Sequence, residues 1–198
     1  ILSLDADERV SAQLAEALRR VFAIGPACDA YAIRFENYFG VQRIRYGAWN
    51  PEWHVRLFDR RKCEWNSDEV HEGLRGAEGS RVGRLSGCIQ HETVRTQGEL
   101  EAKSRRYGKL FAAKLRRVGA EPGWTKVWLN PVWRFFRDYV VRLGFLDGRA
   151  GLAIAWEAAN YTHFKYRWGQ PNARAIRGGD WRAAGLAISA AAAFVLAA

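Results

Sequence analysis

Apolar positions along the chain fall into two textures, short runs in the first half and three-to-four spacing in the second. Ile1 to Leu4 is a brief apolar run stopped by acidic residues, which predicts a buried strand. Leu14, Leu18 and Phe22 recur every fourth residue, predicting a helix over Ser11–Phe22 with Ser11 as N-cap and Gly25-Pro26 as its stop. Tyr31 to Tyr38 is rich in strand formers and partly alternates. Val55–Phe58 and Lys62–Trp65 read as a hairpin around Asp59-Arg60-Arg61. Val82–Leu85 and Cys88–His91 read as two further strands split at Ser86-Gly87. Strands mixed with a helix place this half in the α/β class.

From Gln97 the spacing becomes helical. Gln97–Arg117 carries Leu100, Tyr107, Leu110, Phe111 and Leu115 among charges. After Pro122-Gly123, Trp128–Leu143 predicts a second helix with Trp133, Phe136 and Tyr139 near one face and Arg134, Arg137, Asp138 and Arg142 on the other. Gly144–Gly148 is a tight connection, and a third helix runs towards Tyr166. Ala183–Ala198 is nearly all small and apolar, and at 16 residues falls short of the roughly 20 that span a bilayer. The organisation is therefore 1–95 as an α/β part, 96–170 as a helical extension and 171–198 as an Ala-rich tail, with no internal repeat.

Nine Trp and ten Phe exclude disorder throughout, because they need burial or an interface. The net charge of +10 suits an anionic partner: nucleic acid, an acidic membrane surface or a phosphorylated substrate. Cys28, Cys63 and Cys88 form no CxxC pair, which fits neither a zinc site nor a disulfide framework and points to a reducing, cytoplasmic setting. With Ile at position 1 and no Met, the expectation is a chain whose N-terminal part lies upstream.

Asp5-Ala6-Asp7 follows the first apolar run. In an extended chain, residues two apart point to the same side. Two carboxylates would then converge at a strand's carboxyl end, where open α/β sheets put their ligands. Such a pair calls for a cation, and hard oxygen donors favour Mg²⁺ or Mn²⁺ shared with substrate phosphates. In the segment Trp65–Glu72, Glu72 is a candidate general base beside His71. His91 ends an apolar strand-like segment; His54 and His163 read as structural. Arg43, Arg45, Arg56, Arg60 and Arg61 interleave with aromatic residues, a pattern shared by nucleic-acid binding and by phosphate or sugar binding. The sequence has no helix-turn-helix, zinc-finger or aromatic RNA-binding signature.

Taken in order, Leu2-Ser3-Leu4-Asp5-Ala6-Asp7-Glu8, Gly47-Ala48-Trp49, Val55-Arg56-Leu57-Phe58, Val70-His71-Glu72, Ile89-Gln90-His91, Gly144–Gly148 and Lys165-Tyr166 resemble family 2 glycosyltransferases. Within them the chain is similar to the lipopolysaccharide core β-1,4-glucosyltransferase type, over about residues 1 to 170. The resemblance implies the C-terminal half of a GT-A nucleotide-sugar transferase domain with a mixed sheet, followed by amphipathic helices. It implies inverting transfer of a hexose, glucose from UDP-glucose, to a lipopolysaccharide core or related glycolipid acceptor, with Mg²⁺ or Mn²⁺. Asp7 would be the principal metal ligand, Asp5 a ribose or water-mediated metal contact, and His91 a metal or diphosphate contact. Glu72 would be the catalytic base. Arg56, Trp49 and His71 would bind substrate. A fragment lacking the nucleotide half is expected to be inactive alone. His91 is followed by Glu92 where the family more often has an aromatic residue, and the tail beyond about Asn172 matches nothing in it.

A lipid-linked saccharide acceptor also gives the basic helices a role. Trp133, Phe136 and Tyr139 beside Arg134, Arg137 and Arg142 suit a peripheral site on the anionic inner leaflet. No nucleic-acid partner is expected on this reading. The alternative is a non-enzymatic basic module that binds nucleic acid or an anionic membrane.

Overall fold

The computed structural model describes residues 1–65, 74–76 and 81–170. The chain divides into two compact units, Ile1–Arg45 with Trp49–Thr93, and Tyr46–Ala48 with Val94–Ala198. The first is α/β. Its five-stranded sheet comprises β1 (Glu8–Val10), β2 (Ala30–Phe39), β3 (Gln42–Arg43), β4 (Glu52–Phe58) and β7 (Val82–Val94); β5 (Cys63–Trp65) and β6 (Leu74–Gly76) form a separate ribbon. β2 is central, with β7 on one side and β3 and β4 on the other, and β1 lies beyond β7. The sheet is mixed. The β1–β7, β2–β3 and β2–β4 pairs are antiparallel. β2 and β7 run in the same direction, since Gly83 lies against Tyr31 at one end and His91 against Asn37 at the other.

Helix α1 (Ala12–Ile24) starts where Ser11 Oγ accepts from the Leu14 amide at 3.2 Å. The same oxygen accepts from the Cys88 amide, tying the cap to β7. Leu14 is fully buried and packs on Tyr31, Ile33, Phe35, Leu57, Leu85 and Ile89. At Gly87 φ is +92°, and a Cβ there would stand 2.3 Å from the Leu14 nitrogen. Glycine is thus required where the strand passes the helix backbone. Here Ser86-Gly87 does not separate two strands; β7 continues through it.

Two more expectations are corrected. Asp59-Arg60-Arg61 is a turn, with Asp59 Oδ1 accepting from the Arg61 amide, but it closes no hairpin: β4 pairs with β2, and β5 with β6. The residues before Asp5 run beside β4 through a single Leu2–Leu57 bridge, with Ser3 N–H donating to the Arg56 carbonyl. The first regular strand is β1, and the acidic residues lie in the turn that precedes it.

The second unit is helical. α2 (Gln97–Arg117) begins at Thr96, whose hydroxyl accepts from the Glu99 amide. α3 (Trp124–Phe136) continues as a π-helical turn over Arg137–Val141; a 3₁₀ turn, Gly144–Asp147, leads into α4 (Gly148–Gly169). Both α2 and α3 pack along α4. A Cβ on Gly151 would lie 1.9 Å from the Gly144 carbonyl oxygen, so the connection folds back onto α4 only over a glycine. α3 buries Val127, Pro131 and Phe135. Trp133 points to solvent, whereas Tyr139 stacks on Phe135 at 5.3 Å. Trp133 and Tyr139 therefore do not share an outward face, because Tyr139 follows Phe135 by four residues, about one turn, and so lies on the packed side. No helix among the described residues is long and apolar enough to cross a membrane.

Candidate metal and substrate site

In the sheet unit, one face changes character along its length. Near the starts of β2 and β7 it is apolar and covered by α1. Towards their carboxyl ends the same face carries Asn37 on β2, His91 and Thr93 on β7, and Glu52 and His54 on β4, since strand residues two apart share a side. The carboxyl ends of neighbouring parallel strands are where α/β sheets place ligands.

Glu8 N–H donates to the Asp5 carbonyl at 3.1 Å and Glu8 Oε2 accepts from the Asp5 amide at 3.0 Å, closing Asp5–Glu8 into a turn. The two aspartates consequently take different partners, contrary to the convergence expected of an extended chain. Asp5 Oδ2 pairs with Arg56 at 3.1 Å. Asp7 Oδ2 stands 3.4 Å from His91 Nε2. Glu8, read in the sequence only as the residue after the motif, is the buried carboxylate of the three. Its Oε1 receives Arg56 at 2.5 Å, and the Arg56 guanidinium also lies 5.2 Å from the Phe35 ring centroid. Burial pushes the Glu8 carboxyl above its ordinary range, against the opposing Asp5 amide and Arg56.

His91 lies within β7, not at its end, and its other nitrogen, Nδ1, is 2.9 Å from Asn37 Oδ1. Asn37 Nδ2 donates to the Trp49 carbonyl at 3.0 Å and to Glu52 Oε2 at 2.5 Å. Glu52 Oε1 in turn meets His54 Nε2 at 2.7 Å. Burial favours the neutral form of Glu52, but hydrogen bonds from His54 and Asn37 outweigh it and hold the carboxyl below its ordinary range. Trp49 thus enters the site through its backbone, and His54 is bound into the network that ends at Asp7. Asp7 also borders a cleft of about 300 Å³ with Arg9, Tyr38 and Glu92.

Asp7 and His91 offer one carboxylate and one imidazole nitrogen on the same side of the sheet. Among the described residues, no group of three or more His, Cys, Asp or Glu is placed to hold a metal ion by itself. One carboxylate and one imidazole fit an open divalent site that keeps waters and shares substrate phosphates, with the nitrogen donor favouring Mn²⁺ over Mg²⁺, and not a closed structural site. His71 and Glu72 lie outside the described residues.

A larger cavity, about 590 Å³, opens beside Ile1, Phe22 and Tyr31. Of its cationic side chains, Arg61 is paired with Asp59 and Lys62 with Asp29, which among the described residues leaves Arg60 to meet a ligand, so size does not make it the better candidate. Asn37, Glu52, Thr93 and Glu8 are the site residues that the sequence reading passed over. Asn37 had one signal: an amide in the run Tyr-Ala-Ile-Arg-Phe-Glu-Asn-Tyr, where a buried polar group needs partners. No protein-family model matches the sequence.

Proposed function

We propose that the chain belongs to a metal-dependent, inverting hexosyltransferase that moves a hexose, glucose from UDP-glucose, onto a lipid-linked saccharide such as a lipopolysaccharide core. The observation that carries this reading is the Asp7–His91 pair, 3.4 Å apart, with His91 in the carboxyl-terminal part of β7 and held from behind by Asn37. A divalent ion bound there would neutralise the charge that develops on a diphosphate leaving group. Arg56, paired with Asp5 and Glu8 beside Phe35, adds a guanidinium able to contact phosphate or sugar. Glu72 is assigned as base on the resemblance. It takes the proton from the acceptor hydroxyl as that oxygen bonds to the anomeric carbon; the bond to the nucleoside diphosphate breaks on the opposite side.

The test uses the intact protein with UDP-glucose, Mn²⁺ and a lipid-linked core saccharide. Asp7→Ala and Glu72→Gln should each lower transfer by on the order of 10²-fold or more. Near wild-type transfer by both variants sinks the assignment.

The same reading puts the protein peripherally on the cytoplasmic, anionic leaflet. The second unit supports it. α3 leaves Leu129 and Trp133 exposed opposite its packed edge, with Lys126 and Arg137 nearby on the helix. Aromatic and basic residues side by side suit the headgroup layer. This surface is also what favours the second reading, a non-catalytic anionic-membrane module, which predicts vesicle binding without UDP-sugar binding.

A further inference from the structure

We infer that Asn37 is a positioning residue that fixes the tautomer of His91. Its purpose rests on the reading of Asp7 and His91 as a cation site; its test does not. Asn37 is 1% exposed, and both ends of its amide are engaged. A backbone carbonyl can only accept, so the end that lies 3.0 Å from the Trp49 oxygen must be the NH₂ group. The Glu52 carboxylate, 2.5 Å from the same nitrogen, agrees. Oδ1 is therefore the end that faces β7. It receives the Thr93 hydroxyl and the His91 Nδ1, each at 2.9 Å.

An amide oxygen has no proton to give. Nδ1 must supply the one in that bond, and a neutral imidazole carries only one N–H. Nε2 is left with a bare lone pair, and Nε2 is the atom 3.4 Å from Asp7 Oδ2. Two acceptors then face each other with no proton between them, an arrangement that a cation completes. In the other tautomer Nε2–H would donate to Asp7, and an incoming ion would first have to displace that proton. Histidine ligands are commonly held in this way, the ring nitrogen remote from the metal bonded to a fixed partner. Here the partner is a carboxamide whose orientation is set by a carbonyl and a carboxylate on neighbouring segments.

Long-range ¹H–¹⁵N correlation spectra of the metal-free protein, taken where imidazoles are neutral, report the tautomer from the two ring-nitrogen shifts. His91→Gln assigns the signals among the four histidines. Wild type should show His91 as Nδ1–H, and a wild type that shows Nε2–H overturns the inference, with no variant needing to fold. Asn37→Ala should move His91 towards Nε2–H. It should also weaken Mn²⁺, read by broadening of the His91 signals, by about 10–100-fold, as expected for loss of a group that orients a ligand. Asn37→Ala that keeps the Nδ1–H form and the wild-type Mn²⁺ affinity also overturns it. A wild type in the Nδ1–H form whose His91 signals ignore Mn²⁺ leaves Asn37 setting the tautomer and removes the cation reading instead.

Discussion

Asp7 and Asp138 are the same side chain in opposite electrostatic settings. Asp7, in the sheet unit, is half exposed and faces an imidazole. Asp138, in the helical unit, is fully buried and is met by three arginines: Arg134, Arg137 at 2.9 Å and Arg142 at 3.7 Å. The first cluster sets a carboxylate, an imidazole and a carboxamide side by side. The second has three positive charges on one carboxylate, so it keeps a surplus of two. On the proposed reading, Asp7 stays near solvent to meet its ligand, where a carboxylate without a strong counter-charge costs little. A carboxylate that organises structure is enclosed by its counter-charges.

Removing each group should separate these roles. Asp138→Ala leaves converging guanidinium groups without their anion, and breaking a buried pair in this way costs about 3–5 kcal/mol. Urea unfolding should show that loss. Asp7→Ala should stay within about 0.5 kcal/mol of wild type, as for an exposed position, while Mn²⁺ binding disappears. Equal stability losses for the two variants would erase the distinction.

The second contrast is in pH. Burial lowers the pKa of His163, whose Nδ1–H donates to the Val127 carbonyl at 2.9 Å. Its folded value lies below the unfolded one, so the unfolded chain takes up the proton first. The stability it confers is present above about pH 6.5 and is lost as pH falls from there through the folded value. Glu8 works the other way. Its folded value is raised, so the native state holds the proton more tightly and stability rises as pH falls towards the unfolded value. Residue-resolved NMR of urea unfolding at about pH 7 and about pH 5 should show the helical unit weakening, with a slope bounded by about 1.4 kcal/mol per pH unit. The region around Glu8 should hold or gain. His163→Gln should flatten the first response and leave the second.

Local signals explain which parts of this architecture are legible in the sequence. Ser11 before the Leu14–Leu18 spacing marks α1, and the three-to-four spacing from Gln97 marks α2, because caps and periodicity act within a few residues. β7 reads as two strands since Gly87 has the chemistry of a turn; its cause is contact with Leu14, which sequence proximity does not reveal. Asp5-Ala6-Asp7 is visible as an acidic motif, but its geometry is not: the Glu8 side chain closes the turn and sends the two aspartates to Arg56 and His91. Asn37 is hidden for the same reason. Its four partners come from Trp49, Glu52, His91 and Thr93, none of them near it in sequence.

The smallest effect concerns the outward face of α3. Trp133 is 57% exposed and Leu129 52%, while Val127, Pro131 and Phe135 fill the opposite side. At 3.6 residues per turn the two sets cannot serve one core. Trp133→Ala and Leu129→Ala should therefore change folding stability by no more than about 0.5 kcal/mol, unlike Phe135→Ala, which should cost about 3–5 kcal/mol. If the outward face meets an anionic bilayer, both substitutions should weaken sedimentation with phosphatidylserine vesicles at constant fold. Arg137→Gln should cost about 1 kcal/mol more, an amount that vanishes at high salt. Arg137 also touches Asp138, so its replacement is compared with Lys126→Gln, which has no such structural contact. A loss common to both belongs to the surface charge, and a loss confined to Arg137 belongs to the Asp138 cluster.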